Sequence, residues 1–416
     1  MNQLLPVMAD STQVSGSSRE PAQPRAEHPR SGAMTVRLIE AKELPQYEEA
    51  WWKLSNTAVV PNVFYEPWML LPALEPPTDL ATLRFLLVFG PTGKDGTEPL
   101  WGFFPLELQT KSMKLPVKAL AFWQHHRYFY LTVPLIDAGH AAKVLDAFWR
   151  WFEGNPLGCR ILDTNQVIAE GPFHAVWADF AIGRTSFTVI DFPRAFLQPA
   201  STAESYISDT ISKKHRDEFL RCERRLSELG KLEYRQVDNL GDVDTWLDEF
   251  LRLEAAGWKG GPDGRAFAKE TEHTEYLRTI TREGFLRNRV MLLSLTLDGK
   301  PIAMKHNILS GEGGFSIKIA YDEEFAKYSP GVLLELENIR RVCNDSRIKW
   351  VDSCASPRHV MANRVWRERL MIRRTLFSNN SHLGDFWISV LPLLRWIKKQ
   401  VTNEEVPAQF RISTKG

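Results

Sequence analysis

Cysteine is scarce in this 416-residue sequence: Cys159, Cys222, Cys343 and Cys354 are its whole complement. They are scattered without short paired spacing, which excludes a zinc ribbon and leaves no disulfide framework, so a reducing compartment is expected. Surplus charge is missing too. With 52 basic and 51 acidic residues and a net charge of +1, nothing global draws the chain to nucleic acid or an anionic membrane, and stable nucleic-acid binding is not expected. Long apolar runs are absent: stretches such as Leu83 to Phe89 fall far short of the ~20 residues a membrane span needs. The N-terminus has no charged region followed by a sustained apolar stretch, so a soluble, cytoplasmic protein is expected. Metal catalysis has no support, because His125 and His126 lack further ligands at useful spacing. Residues 1–33 contain no aromatic side chain and cannot bury enough apolar surface to offset chain entropy, so they read as a disordered tail.

What is present fills two cores. The chain exceeds the usual size of one hydrophobic core, and 44% of it is hydrophobic, so two domains are expected. Thr35 to Ile39 reads as a strand and Leu44 to Ser55 as a helix. Leu83 to Gly90 and Leu100 to Leu108 form a hairpin across a turn cluster. Phe129 to Leu135 reads as a strand, Ala138 to Phe152 as an amphipathic helix, and Cys159 to Asp163 as a strand. A similar order returns later: a hairpin over Val290 to Tyr321 turning at Asp298-Gly299 and at 311–314, a helix from Ser329 to Asn344, and a strand from Ile348 to Asp352. Two consecutive copies of a mixed meander with one crossover helix imply an internal duplication. The expected fold is α/β with a mixed α+β sheet. The expected organisation is a tail over 1–33, one half over 34–200, a basic linker helix within 201–231, a second half over 232–390, and a C-terminal tail over 391–416.

The linker is chemically distinct. From Ser212 to Lys231 it holds seven basic and four acidic residues, with a serine to cap its start, a glycine to stop it and a thin apolar stripe from Phe219, Leu226 and Leu229. Lys213, Lys214, Arg216, Arg221, Arg224 and Arg225 could form a landing surface for phosphates. A solvated linker helix with ordinary ion pairs is the other reading, and composition does not separate them. A second signal is Ser329-Pro330-Gly331 opening a helix whose Leu333, Leu336 and Ile339 have helical spacing. Proline is harmless at that position, and small residues leave amides and the helix dipole open to an anion such as pyrophosphate.

The run Tyr321-Asp322, Tyr328-Ser329-Pro330-Gly331 and Leu333-Leu334, with Leu253 to Gly260 and the basic helix from Lys213 to Leu226, resembles GNAT-like acyltransferases of the cellulose-biosynthesis-associated type. That family is related to the FemAB aminoacyl transferases. The resemblance covers roughly residues 34–390 and implies tandem duplicated GNAT-like domains. It implies an N-acyltransferase moving an acyl group from a thioester, usually acyl-CoA, to an amine or hydroxyl of a small molecule or saccharide. The donor pyrophosphate would lie at Tyr328, Ser329, Gly331 and Val332. Ser-Pro-Gly stands where the family usually has a longer glycine-rich turn, so an aminoacyl-tRNA donor, or a non-catalytic scaffold in polysaccharide biosynthesis, stays as an alternative.

Such a transferase must hold donor and acceptor, remove a proton from the nucleophile and stabilise an oxyanion. His306, on the strand from Ile302 to Leu309, is the expected base. Asp352, ending its strand where open α/β sheets place functional groups, is a second base or an amine anchor. Strand parity puts Lys305 on the face opposite His306. Trp258 and Lys259, at a helix end before a glycine-rich loop, are expected to wall the acceptor pocket. Cys354 with nearby His359 is weighed as a nucleophile pair and set aside. The six arginines between Arg358 and Arg374 could grip phosphates or decorate a surface.

Overall fold

The computed structural model describes residues 34–113, 115–154 and 157–402; the tail expected at 1–33 and the part of the expected 391–416 tail from 403 onward lie outside the described residues. The first half begins with β1 (Thr35–Ile39), α1 (Glu48–Thr57), α2 (Pro67–Ala73), β2 (Leu83–Phe89), β3 (Leu100–Gln109) and β4 (Ala119–Phe122). It continues with β5 (Leu135–Ile136), α3 (Ala141–Glu153), β6 (Ile161–Ile168), α4 (Gly171–Ala181) and β7 (Ser186–Leu197). Two helices follow, α5 (Ala203–Thr210) and α6 (Lys213–Ser227). The second half contains β8 (Leu232–Gln236), α7 (Val243–Ala256), α8 (Thr271–Leu286), β9 (Val290–Leu297), β10 (Lys300–Ser310) and β11 (Gly313–Tyr321). It closes with α9 (Pro330–Asn344), β12 (Trp350–Asp352), α10 (Val360–Val365), β13 (Glu368–Ser378) and α11 (His382–Thr402). The last helix runs past residue 390, where the sequence suggested the start of a tail.

Local chemistry accounts for the turns. Asp298 and Gly299 both have positive φ, 49° and 81°, the geometry of the two-residue hairpin that an Asp-Gly pair favours. Ser329 takes the left-handed conformation at φ 52°, which ends the short helical turn over Glu323–Tyr328 and lets Pro330 open α9. Its carbonyl accepts the first helical amides, from Val332 at 2.9 Å and Leu333 at 3.1 Å.

Among the described residues, thirteen strands join one mixed sheet in the order β1-β2-β3-β4-β6-β13-β7-β12-β11-β10-β9-β8, with β5 alongside β3. The halves exchange their last strands: β7 pairs with β12 of the second half, and β13 pairs with β6 of the first. At the centre β7 and β13 run antiparallel from Glu368↔Phe196 to Phe377↔Ser186. In each half a strand before the crossover helix pairs in parallel with the strand after it, β4 with β6 around α3 and β11 with β12 around α9. Ala121 faces Asp163 in the last β4–β6 pair, and Phe315 faces Asp352 in the last β11–β12 pair. The chain is thus a tandem of two similar α/β halves fused through a common sheet.

One expected element is absent. Phe129 to Pro134 is irregular and only Leu135–Ile136 pairs, with β3. Side chains replace a neighbouring strand as partners for its carbonyls: Asn62 donates to Val133 O at 2.7 Å, Arg194 to Tyr130 O at 2.9 Å and Gln124 to Phe129 O at 2.9 Å. The segment has the apolar composition of a buried strand because it is buried, and satisfied backbone groups do not require a ladder. The counterpart of β11 in the first half is therefore β4.

Candidate transfer cleft in the second half

Beyond Phe315 and Asp352 the parallel pair parts. β12 stops, while β11 runs on to Tyr321 with β10 along its other edge. The opening is lined by Ile319, Ala320 and Tyr321 from β11, by Leu253 to Lys259 at the end of α7, and by His359 and Met361 at the start of α10. It encloses a cavity of about 110 Å³. Gly331 of α9 lies buried just behind it: a Cβ there would stand 3.4 Å from the Tyr321 ring and 3.9 Å from Met361 Sδ. Of the expected donor residues, Gly331 thus stands behind the opening, whereas Tyr328, Ser329 and Val332 are not in its lining; Tyr328 is half-buried on the turn before α9.

Lys259 enters the cleft from the turn after α7 and donates from Nζ to the Ile319 carbonyl. Burial, reinforced by the neighbouring Lys318 ammonium, pulls its pKa down to about 8. Lys318 is held at 2.8 Å by Glu254, whose other oxygen accepts the Phe267 N–H at 2.8 Å. Glu254 therefore ties the glycine-rich loop after α7 to β11. Trp258 stands exposed at the mouth, its backbone N–H donated to Glu323 at 2.8 Å.

His359 caps α10, its Nδ1 accepting the Ala362 N–H at 3.1 Å. Burial and then the nearby Lys259 charge lower its pKa, so the ring is neutral at pH 7 and carries its proton on Nε2. That leaves a hydrogen-bond donor in the wall of the cleft.

The expected bases are placed elsewhere. His306 is fully buried, packed on Trp246, and donates from Nε2 to Thr281 Oγ1 at 2.9 Å. That assignment follows because the Thr281 hydroxyl is already committed to Leu277 O at 2.6 Å. Burial pushes the His306 pKa down to about 3, and no substrate reaches it. Asp352 is also a structural group: one oxygen takes Arg194 Nη1 at 3.0 Å and the other the Cys354 N–H at 2.8 Å. Lys305, on the opposite face of β10 from His306, is sealed at 2.8 Å from Glu335 and 2.6 Å from Ser316 Oγ. Cys354 is buried and its thiol pKa is raised well above the ordinary value by burial and by Asp352, which removes it as a nucleophile.

Five of the six late arginines are tied into the fold as well, while Arg358 is exposed. Arg364 bonds Glu218 at 3.0 Å, Arg367 bonds Glu368 at 2.7 Å and Arg373 bonds Asp191 at 2.6 Å. Arg369 donates to backbone carbonyls, and Arg374 grips Asp163. Of the expected substrate residues, Trp258 and Lys259 do share the cleft. His359, Lys318 and Glu254 were not singled out there by sequence, because their proximity depends on how α7, β11 and α10 converge.

Residues 213–359 match the model of the acetyltransferase (GNAT) domain family, a span that contains α6, the parted strands and both cleft walls. This part of the chain is similar to a GNAT acetyltransferase domain. No curated protein matches the sequence. Among solved structures, a conserved protein of unknown function from Bacteroides thetaiotaomicron is similar at 10% identity and a TM-score of 0.49, covering 83% of this chain and 100% of its own. FemX is similar at 9% identity and a TM-score of 0.48, with 88% and 100% covered. A tandem GNAT protein from the clavulanic acid biosynthesis pathway is similar at 14% identity and a TM-score of 0.42, with 84% and 100% covered. Likenesses this remote decide nothing about donor or acceptor. Among the described residues no helix is long and apolar enough to cross a membrane, and no group of His, Cys, Asp and Glu is arranged to hold a metal.

Proposed function

We propose that the cleft between β11 and β12 of the GNAT-like part transfers an acyl group from a thioester, acyl-CoA, to the amine of a small molecule or saccharide. The observation that carries this reading is the convergence of Lys259, with a pKa near 8, and the His359 donor on an opening with the start of α9 behind it. In the proposed step an amine nitrogen attacks the thioester carbon, and the carbonyl oxygen becomes an oxyanion that accepts a hydrogen bond from His359 Nε2–H. Neutral Lys259 takes the proton the amine loses. Collapse of the intermediate breaks the C–S bond, and the leaving thiolate is protonated by the Lys259 ammonium. The donor pyrophosphate would lie before the amides of α9, at Tyr328 to Val332.

The halves, 34–200 and 232–390, would then divide the work, the first being a frame. In the first half the segment after β4 stitches across the equivalent parting: Thr132 N–H donates to Gln166 O at 3.2 Å, and Asn165 bonds Gln124. That place is filled by the protein itself.

One feature favours a second reading. α6 packs beside the turn over Glu323–Tyr328 and exposes Lys213, Lys214, Arg221, Arg224 and Arg225. A polyanionic donor such as an aminoacyl-tRNA would meet that face, with affinity falling steeply as salt rises.

Calorimetric titration with acetyl-CoA and a longer acyl-CoA, followed by thiol release with a panel of amines, tests the first reading. Saturable binding and amine-dependent thiol release are expected. Absence of binding to both thioesters would overturn the coenzyme A donor and favour the polyanionic one.

A further inference from the structure

The last helix is apolar on two sides. α11 lies against β7 and β13, with Gly384, Ile388, Leu391 and Arg395 turned to the sheet. Ile388 and Leu391 are buried with Ile161, Val189 and Leu376. Gly384 fits so closely that a Cβ there would stand 2.6 Å from Ser378 Oγ and 2.9 Å from Arg160 O, and Arg395 donates from Nη2 to Val189 O at 2.9 Å. A helix docked in this way ordinarily turns polar residues outward. α11 does not. On its outward side Leu383, Phe386, Val390, Leu393 and Ile397 follow one another at intervals of three, four, three and four residues. Leu394 and Trp396 flank that stripe. Phe386 is 55% exposed, Leu393 56% and Trp396 59%.

The spacing and extent of the stripe indicate what covers it. Alternation of three and four is the seam of a helix pair, because side chains at those positions keep to one line along the helix and insert between those of a facing helix. A lipid surface asks for a different helix, one with a basic polar side opposite its apolar side, and the side of α11 opposite the stripe is packed on the sheet. Pro392 falls off the stripe by its position in the helix, so its ring does not enter the seam. The exposed parts of these side chains amount to on the order of 500 Å² per chain. Two such stripes face to face withdraw roughly 1,000 Å² from water, the size at which a specific interface begins. A stripe carried by every copy is complementary to itself, so a single two-fold contact closes the assembly.

We propose that the chain forms a homodimer in which the α11 helices of two copies pack along this stripe about a two-fold axis near Val390. Val390 is the middle of the five positions, so the two copies meet there residue on identical residue. None of the stripe residues lines the transfer cleft, and the dimer therefore does not rest on the transfer reading.

Sedimentation equilibrium of the full chain over a range of concentrations tests the proposal, on the parent and on Phe386→Glu/Leu393→Glu. Both replaced side chains are exposed, and a melting curve verifies that the variant is folded. The parent should sediment at twice the chain mass, and dimerisation of the variant should be weakened at least ~30-fold. Val390→Cys should form an intermolecular disulfide on mild oxidation where the parent does not, because the axis brings the two thiols together. A parent that is monomeric throughout, a double variant that dimerises like the parent, or a Val390→Cys chain that does not cross-link would overturn the proposal. A monomeric parent that co-sediments with phosphatidylglycerol vesicles, and loses that with Phe386→Glu/Leu393→Glu, would assign the stripe to a lipid surface instead. A monomeric parent that dimerises only once residues 403–416 are removed would assign it to the C-terminal segment.

Discussion

Arg194 holds Asp352 from the neighbouring strand, Nη1 to Oδ2 at 3.0 Å with both side chains buried. Arg374 holds Asp163 in the same relation, Nε to Oδ1 at 2.9 Å and Nη2 to Oδ2 at 2.5 Å. Each aspartate is the last residue paired in parallel within its half, and each arginine stands two positions before that aspartate's antiparallel partner, Phe196 or Leu376. The duplication is thus written into the charge chemistry of the seam, and the exchanged strands are locked by it.

Breaking one lock strands a buried cation. Arg194 keeps Gln166 Oε1 at 2.6 Å and Tyr130 O at 2.9 Å, but neither carries charge. Asp352→Asn should cost roughly 3 kcal/mol, since removing one partner of a buried pair typically costs 3–5 kcal/mol. Arg194→Leu/Asp352→Leu should recover part of that loss. Urea unfolding of Asp352→Asn and of the double variant measures it; a cost below ~1 kcal/mol for Asp352→Asn would show that the pair is not the lock.

His306 and His125 bear on acid stability. Both have folded pKa values near 3, below the unfolded value of 6.5. The unfolded chain therefore binds more protons between those limits, and stability should fall as pH drops from 6.5 towards 3, by up to ~1.4 kcal/mol per pH unit for each histidine. His306→Leu should flatten the acid slope by about one proton and leave thiol release within about twofold of the parent. Unfolding free energies between pH 4 and 7 measure the slope, and a large loss of kcat in the folded variant would return His306 to the reaction.

The fold was legible where periodicity and turn chemistry coincide. The Asp298-Gly299 hairpin, the helix opened by Pro330 and the basic α6 all lie where spacing places them, because their signals are local. The exchange of β7 for β13 was not legible, since it depends on pairings across nearly two hundred residues, and the parting of β11 from β12 was not, since it depends on where a tertiary pairing stops. The same limit governed the site. Trp258 and Lys259 could be named from a helix end and a loop, whereas the choice of His306 turned on which face of β10 meets solvent. Strand parity separates His306 from Lys305 but does not say that α8 covers one face and α9 the other. His359 was invisible as a cleft residue because the turn before α10 brings it back across the sheet.

Lys259 sets the expected pH response of transfer. Its ammonium loses its proton at about 8, and only the neutral amine accepts a proton from the nucleophile. The rate should therefore rise with pH up to a limb near 8 and flatten above it, provided that the acceptor amine is saturating. Lys259→Met should lower kcat by about 10²-fold or more and leave acetyl-CoA affinity within a few-fold. Thiol release across pH 6 to 10 measures both, and a variant with unchanged kcat would exclude Lys259 as the base.

Glu254 makes that limb adjustable. Its charge raises the Lys259 pKa against the opposing effects of burial and Lys318, so removing the charge should lower it further. Glu254→Gln keeps an amide oxygen for the Phe267 N–H while losing the charge, and should move the limb of the rate profile to lower pH with little change in loop order. Glu254→Ala removes the acceptor as well. The Phe267 N–H then has no side-chain partner and the loop loses its tie to α7, so protease should cut within residues 257–270 faster than in the parent. The two variants separate charge from tether. A limb that stays in place in Glu254→Gln would mean that Lys259 is not the group titrating, and equal protection of both variants would mean that the tether does not order the loop.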